Sequence, residues 1–143
     1  MAFSKEIRQK IYNKYDGHCA YCGKGITKAQ MQIDHLIPIY RNWTEQDLKR
    51  QGVERGSNDI DNLMPSCRQC NFRKDTLTLE KFREELVKQR DRLLNTFAVR
   101  QSVDYGLLEV HQRKVEFYFE KKKDDKGRIT RNTSIPCRYD KKQ

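Results

Sequence analysis

Two Cys-X-X-Cys motifs, Cys19 to Cys22 and Cys67 to Cys70, constrain the fold of this chain more than any other feature. The chain has five cysteines, and an odd number without a secretion signal argues against a disulfide framework. Four thiolates suit tetrahedral zinc, so the motifs predict a structural zinc site. Zinc ribbons usually separate their motifs by about 15–20 residues, whereas residues 23–66 intervene here. This long insert must therefore contain structure of its own.

The composition favours a nucleic-acid partner. The 30 Lys and Arg outnumber the 20 Asp and Glu, which gives a formal net charge of +10. Such a surplus attracts a polyanion, either nucleic acid or an anionic membrane surface, and nucleic acid is the stronger expectation. The sequence shows neither an apolar run long enough to cross a bilayer nor a signal-peptide pattern. We therefore expect a cytoplasmic protein that binds nucleic acid and no membrane.

An acid and an imidazole lie side by side within the insert, at Asp34 and His35. They occupy the middle of an apolar run from Met31 to Pro38, and residues 26–36 alternate well enough to predict a strand. A carboxylate and a histidine near a strand end can hold a cation and take a proton from water. We therefore regard this pair as the candidate chemical centre.

Short elements are predicted on either side of this pair. Residues 4–15 have the cap and the apolar spacing of a helix. A short helix is predicted at 44–50, within an otherwise polar loop. A second short strand is predicted at 59–64, and we expect Pro65 to stop it before the second cysteine motif.

The region after the second motif is predicted to contain a helix and a hairpin. Thr78 is the candidate N-cap of a long amphipathic helix whose apolar stripe reaches Phe97. Residues 98–106 fit either a continuing helix or a turn. Residues 107–110 and 114–119 have the pattern of two strands, which could form a β-hairpin.

The sequence divides into four segments. We expect an N-terminal helix at 1–18, a metal-binding core at 19–75, an extension with a helix and a β-hairpin at 76–120, and a basic tail at 121–143. The tail has nine Lys and Arg against three Asp and Glu and few apolar residues, so we expect it to be disordered on its own. The predicted fold class is α+β.

The motifs between residues 19 and 74 resemble the HNH endonucleases that carry four cysteines and a zinc ion. They occur in the order Cys-X-X-Cys, Ile-Asp-His-Leu-Ile-Pro, Asp-Asn-Leu and Cys-X-X-Cys-Asn-X-X-Lys. The resemblance implies a ββα-metal core, in which two antiparallel strands and a helix surround one catalytic divalent ion. It also implies that the substrate is DNA.

The resemblance assigns roles to four residues. His35 matches the general base, and Asn62 matches the asparagine that braces the loop between the strands. Asn71 matches the third signature position, which binds the catalytic ion together with Asp34. Their oxygen ligands suit magnesium or manganese. The intrinsic pKa of histidine is close enough to neutral for His35 to accept a proton from water.

Two further expectations concern phosphate contacts and the loop between the strands. Lys74 lies one helical turn beyond Asn71 and is predicted to contact a phosphate, with Arg73 as a weaker candidate. Many HNH endonucleases carry a Gly-Gly pair in the loop, and the nearest equivalent here is Gly56 followed by Ser57. This departure leaves the geometry of the loop open.

Two alternatives remain beside a DNA endonuclease. The first is a zinc-stapled module that binds nucleic acid without catalysis, although binding alone would not require Asp34, His35 and Asn71 together. The second is a nuclease that acts on RNA or on structured junctions. One HNH site cuts one strand, so a double-strand break would need a homodimer or two successive nicks.

Overall fold

The computed structural model describes residues 3–121. Five helices and two strands follow one another as α1 (Lys5–Asn13), β1 (Gln32–His35), α2 (Glu45–Gln51), β2 (Leu63–Ser66), α3 (Arg68–Lys74), α4 (Leu79–Leu94) and α5 (Phe97–Asp104). Single 3₁₀ turns occur at Ile60–Asn62 and Tyr118–Glu120. Helices packed around one small sheet confirm the predicted α+β class. None of the helices described here has both the length and the apolar character needed to cross a membrane.

β1 and β2 form a two-stranded antiparallel sheet in which Asp34 pairs with Met64 and His35 with Leu63. β1 is shorter than the predicted strand because residues 27–30 form a turn instead. Pro65 does not stop β2. It pairs with Ile33 inside the strand, and its carbonyl accepts a hydrogen bond from the Ala20 amide at 2.8 Å. This bond attaches the first cysteine motif to the sheet.

α1 is fastened to the turn that precedes β2. Ser4 caps the helix by accepting a hydrogen bond from the Ile7 amide at 3.3 Å. Near the other end, the Lys14 ammonium donates to the carbonyl oxygens of Ile60, Asp61 and Leu63 at 3.0–3.1 Å. α1 therefore fixes the entry into β2.

Only part of the predicted apolar stripe of α4 packs against the first cysteine motif. Thr78 caps the helix as expected, and Phe82 is buried against Tyr21 with their ring centroids 5.7 Å apart. Leu93 and Phe97 are 50% and 71% exposed. The open question at residues 98–106 is answered by α5, which is separated from α4 by a short break.

The β-hairpin predicted at 107–110 and 114–119 is wrong. Residues 107–117 contain no strand, and Leu107 is 79% exposed. Phe117 instead stacks on Phe82, and the amides of Tyr118 and Phe119 donate to the carbonyls of the first cysteine motif at 2.9 Å. The alternating apolar pattern thus reflects burial against this motif rather than pairing with a strand. The tail expected to be disordered lies outside the described residues from 122 onward.

Candidate functional site

The two cysteine motifs bring four thiols together. The sulfur atoms of Cys19, Cys22, Cys67 and Cys70 lie within 4.8 Å of one another, and those of Cys22 and Cys67 are 3.9 Å apart. A tetrahedral ion with bonds of about 2.3 Å to sulfur requires sulfur atoms about 3.8 Å apart. The four cysteines can therefore hold a metal ion. His18 stacks on Tyr118 and is not a member of the cluster.

Local backbone geometry positions these four thiols. The Gly23 amide donates to the Cys19 carbonyl at 2.9 Å in a tight turn, and Gly23 has the positive φ of 73° that favours glycine. Cys67 is the N-cap of α3, where its sulfur accepts a hydrogen bond from the Cys70 amide at 3.5 Å. Hydrogen bonds from the thiols of Cys22 and Cys70 lower the pKa of Cys19. The cluster therefore already favours one thiolate.

Two buried side chains hold the Asp34 carboxylate. One is Tyr21 from the first cysteine motif, and the other is Lys74, which follows the second motif on α3. The Tyr21 hydroxyl donates to Asp34 Oδ2 at 2.5 Å, and the Lys74 ammonium lies 3.1 Å from the same oxygen. Lys74 also donates to the His35 carbonyl at 2.7 Å. Burial, together with the Asp34 carboxylate, raises the pKa of Tyr21, so this phenol remains a donor. Among the hydrogen bonds of residues 3–121, none reaches the other oxygen, Asp34 Oδ1.

The imidazole of His35 is oriented by Asn58. His35 Nε2 lies 3.0 Å from Asn58 Oδ1. An amide oxygen only accepts hydrogen bonds, so this contact favours the tautomer of the neutral imidazole in which Nε2 carries the proton and Nδ1 is the acceptor. His35 is half-buried and lines the same cleft as Asp34. The available Nδ1 is therefore the atom that can accept a proton.

Asn62 ties the loop that carries Asn58 to the end of β1. Its Nδ2 donates to the carbonyls of Ile37 and Ser57 at 3.0 and 2.8 Å, and its Oδ1 accepts from the Ile37 amide at 2.8 Å. At Gly56 the loop runs directly against the backbone of Ile37, since a Cβ at Gly56 would be 1.8 Å from the Ile37 carbonyl oxygen. A single glycine thus provides the space that the loop requires.

A cleft of about 320 Å³ opens beside β1. Asp34, His35, Asp75 and Thr76 line it together with a wall formed by residues 38–43. The cleft joins the carboxylates of Asp34 and Asp75, an oriented imidazole and a wall with one cationic residue, Arg41. The carboxylates can attract a cation, and the imidazole can remove a proton from a water molecule beside it.

Comparisons with known proteins agree with this geometry. Residues 19–76 match the family model described as HNH endonuclease. This part of the chain is therefore similar to HNH endonucleases. The chain is also 31% identical over 75 residues to the SPbeta prophage-derived protein YoqL of Bacillus subtilis (strain 168), itself named as a candidate HNH endonuclease. The similarity covers 52% of this chain and 30% of that relative, so the chain spans less than a third of the relative's length.

One solved structure also resembles this chain. The crystal structure of the Type II-C Cas9 enzyme from Actinomyces naeslundii matches with a TM-score of 0.45 and 19% sequence identity. The match covers 59% of this chain and 9% of that chain.

The two basic residues predicted to contact phosphate do not line the cleft of Asp34 and His35. Lys74 is fully buried, with its ammonium between Asp34 and the His35 carbonyl, so its ammonium is engaged inside the protein rather than exposed toward a phosphate. Lys74 lies on the face of α3 that packs on β1, so its side chain points inward. Arg73 is exposed, but it lines a groove with Phe72 and Phe82 rather than the cleft beside Asp34. The structure therefore does not bring Arg73 to the candidate site.

Asn71 lies on α3 one turn before Lys74. It is half-buried, and its Oδ1 lies 3.4 Å from the hydroxyl of Ser66, the last residue of β2. Residues three apart on a helix share a face, so Asn71 and Lys74 are both directed toward the sheet. Asn71 thus lies beside the end of the sheet where Ser66 pairs with Gln32, and it is not among the residues that line the cleft of Asp34 and His35.

Two residues that contact the Asp-His pair, Asn58 and Tyr21, were not identified from the sequence. Asn58 belongs to a polar loop, where nothing distinguishes it from its neighbours before the loop is seen to fold back on His35. Tyr21 lies inside a cysteine motif, where any residue is accepted, and only its buried contact with Asp34 marks it.

Proposed function

We propose that the protein is a metal-dependent endonuclease that hydrolyses DNA phosphodiester bonds. The observation that carries this proposal is the cleft in which Asp34 and the oriented His35 lie together. The family match over residues 19–76 supports the reaction class, and the net charge of +10 supports a polyanionic substrate.

In this proposal His35 is the general base. Its Nδ1 accepts a proton from water while the water oxygen forms a bond to phosphorus. The bond between phosphorus and the leaving oxygen then breaks, and the leaving oxygen takes a proton from solvent. Asn58 keeps the proton on Nε2, and Asn62 holds the loop that supplies Asn58. By resemblance, the products carry a 5′-phosphate and a 3′-hydroxyl.

Asp34 and Asn71 would hold the catalytic ion. Carboxylate and amide oxygens suit magnesium or manganese, and Asp34 Oδ1 makes no hydrogen bond within the described residues. When bound, such an ion stabilises the negative charge that develops on the phosphoryl and leaving oxygens. Tyr21 and Lys74 occupy Oδ2 and so restrict the carboxylate to one free oxygen.

We further propose that the four cysteines bind a structural zinc ion. A closed site with four thiolates leaves no position for a substrate, so this metal would hold the fold rather than react. It would join the motif that carries Tyr21 to the helix that carries Lys74. Loss of this metal should therefore release both neighbours of Asp34.

The first experiment is plasmid cleavage with magnesium, with manganese and with chelator. We expect the wild type to nick supercoiled plasmid in a metal-dependent reaction and His35→Ala to lose at least about 10²-fold of this activity. His111→Ala is the matched control, because the His111 side chain is 53% exposed. Equal cutting by wild type and His35→Ala would overturn the role of His35. Salt-sensitive binding without cleavage under any divalent ion would favour a binding module.

The zinc proposal is tested by metal analysis of purified protein. We expect about one zinc per chain in wild type, and loss of both zinc and cleavage in Cys67→Ser. Cys137→Ser, which changes the fifth cysteine, outside the two motifs, is the control and should keep its zinc. A zinc-free Cys67→Ser protein that still cuts DNA would contradict the proposal.

A further inference from the structure

An exposed tryptophan forms part of the wall of the catalytic cleft. Trp43 is the sole tryptophan of the chain, is 38% exposed, and lines the cleft that contains Asp34 and His35. Its ring stacks on Tyr40 with centroids 4.7 Å apart and an interplanar angle of 29°. Tyr40 is only 6% exposed. The indole therefore has a buried aromatic support and a solvent-accessible part beside the proposed chemistry.

The backbone around this pair is held firmly. The Arg55 guanidinium donates to the carbonyls of Tyr40 and Trp43 at 2.6 Å each and to that of Ile39 at 3.0 Å, and it pairs with Glu45 at 3.2 Å. Tyr40 itself has a φ of 49°, in the left-handed region that non-glycine residues rarely adopt. Such conformations persist only where the surroundings enforce them. Arg55 supplies that enforcement by holding the backbone that carries the indole.

We propose that Trp43 is a stacking platform for a nucleobase next to the scissile phosphate, and that the substrate is DNA with unpaired bases at the cut. The proposal rests on the proposed nuclease function, because it identifies which form of DNA enters the same cleft. Proteins that bind single strands combine a cationic groove with aromatic rings on which bases stack. Trp43 supplies the aromatic ring, and Arg41 supplies one cationic side chain in a cleft that Asp34 and Asp75 also line.

The stacking role leads to a specific substrate preference. Every base has a π face, so an indole accepts bases with little regard to sequence. A base in an intact duplex is already stacked on its neighbours and would have to leave them first, at a cost of a few kcal/mol. Single-stranded or frayed DNA avoids this cost. We therefore expect a preference for unpaired DNA over intact duplex, with weak sequence preference.

The test uses the fluorescence of Trp43 in the full-length His35→Ala protein, without added magnesium. The protein is titrated with a single-stranded DNA oligonucleotide, with a base-free oligonucleotide of equal length and charge, and with a duplex. We expect the first to quench the fluorescence strongly, the second to bind by charge with little quenching, and the duplex to quench weakly. Equal quenching by the first two would overturn the proposal.

Binding by variants in the same background gives a second readout, measured by anisotropy of labelled oligonucleotides. We expect Trp43→Ala to weaken single-strand binding about tenfold, whereas Trp43→Phe, which keeps a ring, stays within about threefold. Tyr105→Ala, which removes an aromatic residue that is 76% exposed, is the control and should change nothing. Unchanged binding by a folded, zinc-containing Trp43→Ala protein would overturn the platform. Plasmid cleavage by wild type together with that result would leave the nuclease proposal intact.

Discussion

Asp34 and Lys74 form a buried ion pair, with Lys74 Nζ 3.1 Å from Asp34 Oδ2 and only 0% and 9% of the two side chains exposed. The pair connects the middle of β1 to the last turn of α3. Lys74 also donates to the His35 carbonyl, so one ammonium group supports both neighbours in the Asp-His pair. The lysine thus contributes to the site by fixing its backbone and its carboxylate.

Removing this ammonium should destabilise the fold. Lys74→Met leaves a buried carboxylate without its counter-charge, and we expect a loss of about 3–5 kcal/mol in the free energy of unfolding. Urea denaturation measures this change. The control is Lys81→Met on the exposed face of α4, which should stay within about 0.5 kcal/mol of wild type. Equal stabilities for the two variants would show that the ion pair is not formed.

Tyr21→Phe tests the second neighbour of Asp34 without changing the shape of the ring. Hydrogen bonds to charged groups contribute about 1.5–3 kcal/mol, so we expect a loss of stability in this range. Residues that orient a metal ligand typically affect metal affinity or activity by about 10–100-fold, and we expect a similar fall in plasmid nicking. Tyr105→Phe is the exposed control. Wild-type nicking by Tyr21→Phe would exclude a positioning role.

Gly56→Ala should distort the loop that carries Asn58. The added Cβ would lie 1.8 Å from a backbone oxygen, which cannot rotate away, so we expect a loss of about 1–3 kcal/mol and reduced cleavage. Gly25→Ala is a close control, because a Cβ at Gly25 meets no atom within 4 Å. Denaturation and nicking assays on both proteins provide the comparison. If both alanines are tolerated equally, the tight approach at Ile37 does not exist in solution.

Asn58 is expected to act through His35. Asn58→Ala removes the acceptor for Nε2, so both tautomers become accessible and cleavage should fall by up to about 10²-fold. Asn58→Asp keeps an acceptor oxygen and should retain most of the activity. The ¹⁵N chemical shifts of the imidazole report the tautomer directly. An unchanged Nε2–H tautomer in Asn58→Ala would remove Asn58 from the site.

The sequence predicted the parts of the site that depend on local spacing. Cysteines separated by two residues and an Asp-His pair on a short strand have their geometry set by the nearby backbone, whereas the ββα arrangement was anticipated only from the family resemblance. The orientation of Lys74 could not be predicted from the sequence, because the packing of α3 on β1 decides which face of the helix points inward. The charge of Lys74 suggested a solvent-exposed role, whereas tertiary packing paired it with a buried acid.

The failed hairpin has a similar cause. Alternation of apolar residues around Phe117 indicates a segment with one buried face, and it does not specify which surface covers that face. Here the aromatic rings of Tyr21 and Phe82 provide that surface. The second strand likewise continued through Pro65, because its missing amide hydrogen is tolerated in a sheet of only two strands.

The loop between the two strands is closed at its base by short backbone contacts. The Gly56 amide donates to the Pro38 carbonyl at 2.8 Å, and Asn62 spans Ile37 and Ser57. Residues 39–55 therefore extend from a fixed attachment and do not determine the register of β1 and β2. A protein engineer could therefore exchange residues 39–55, which include Trp43, while leaving Asp34 and His35 in place.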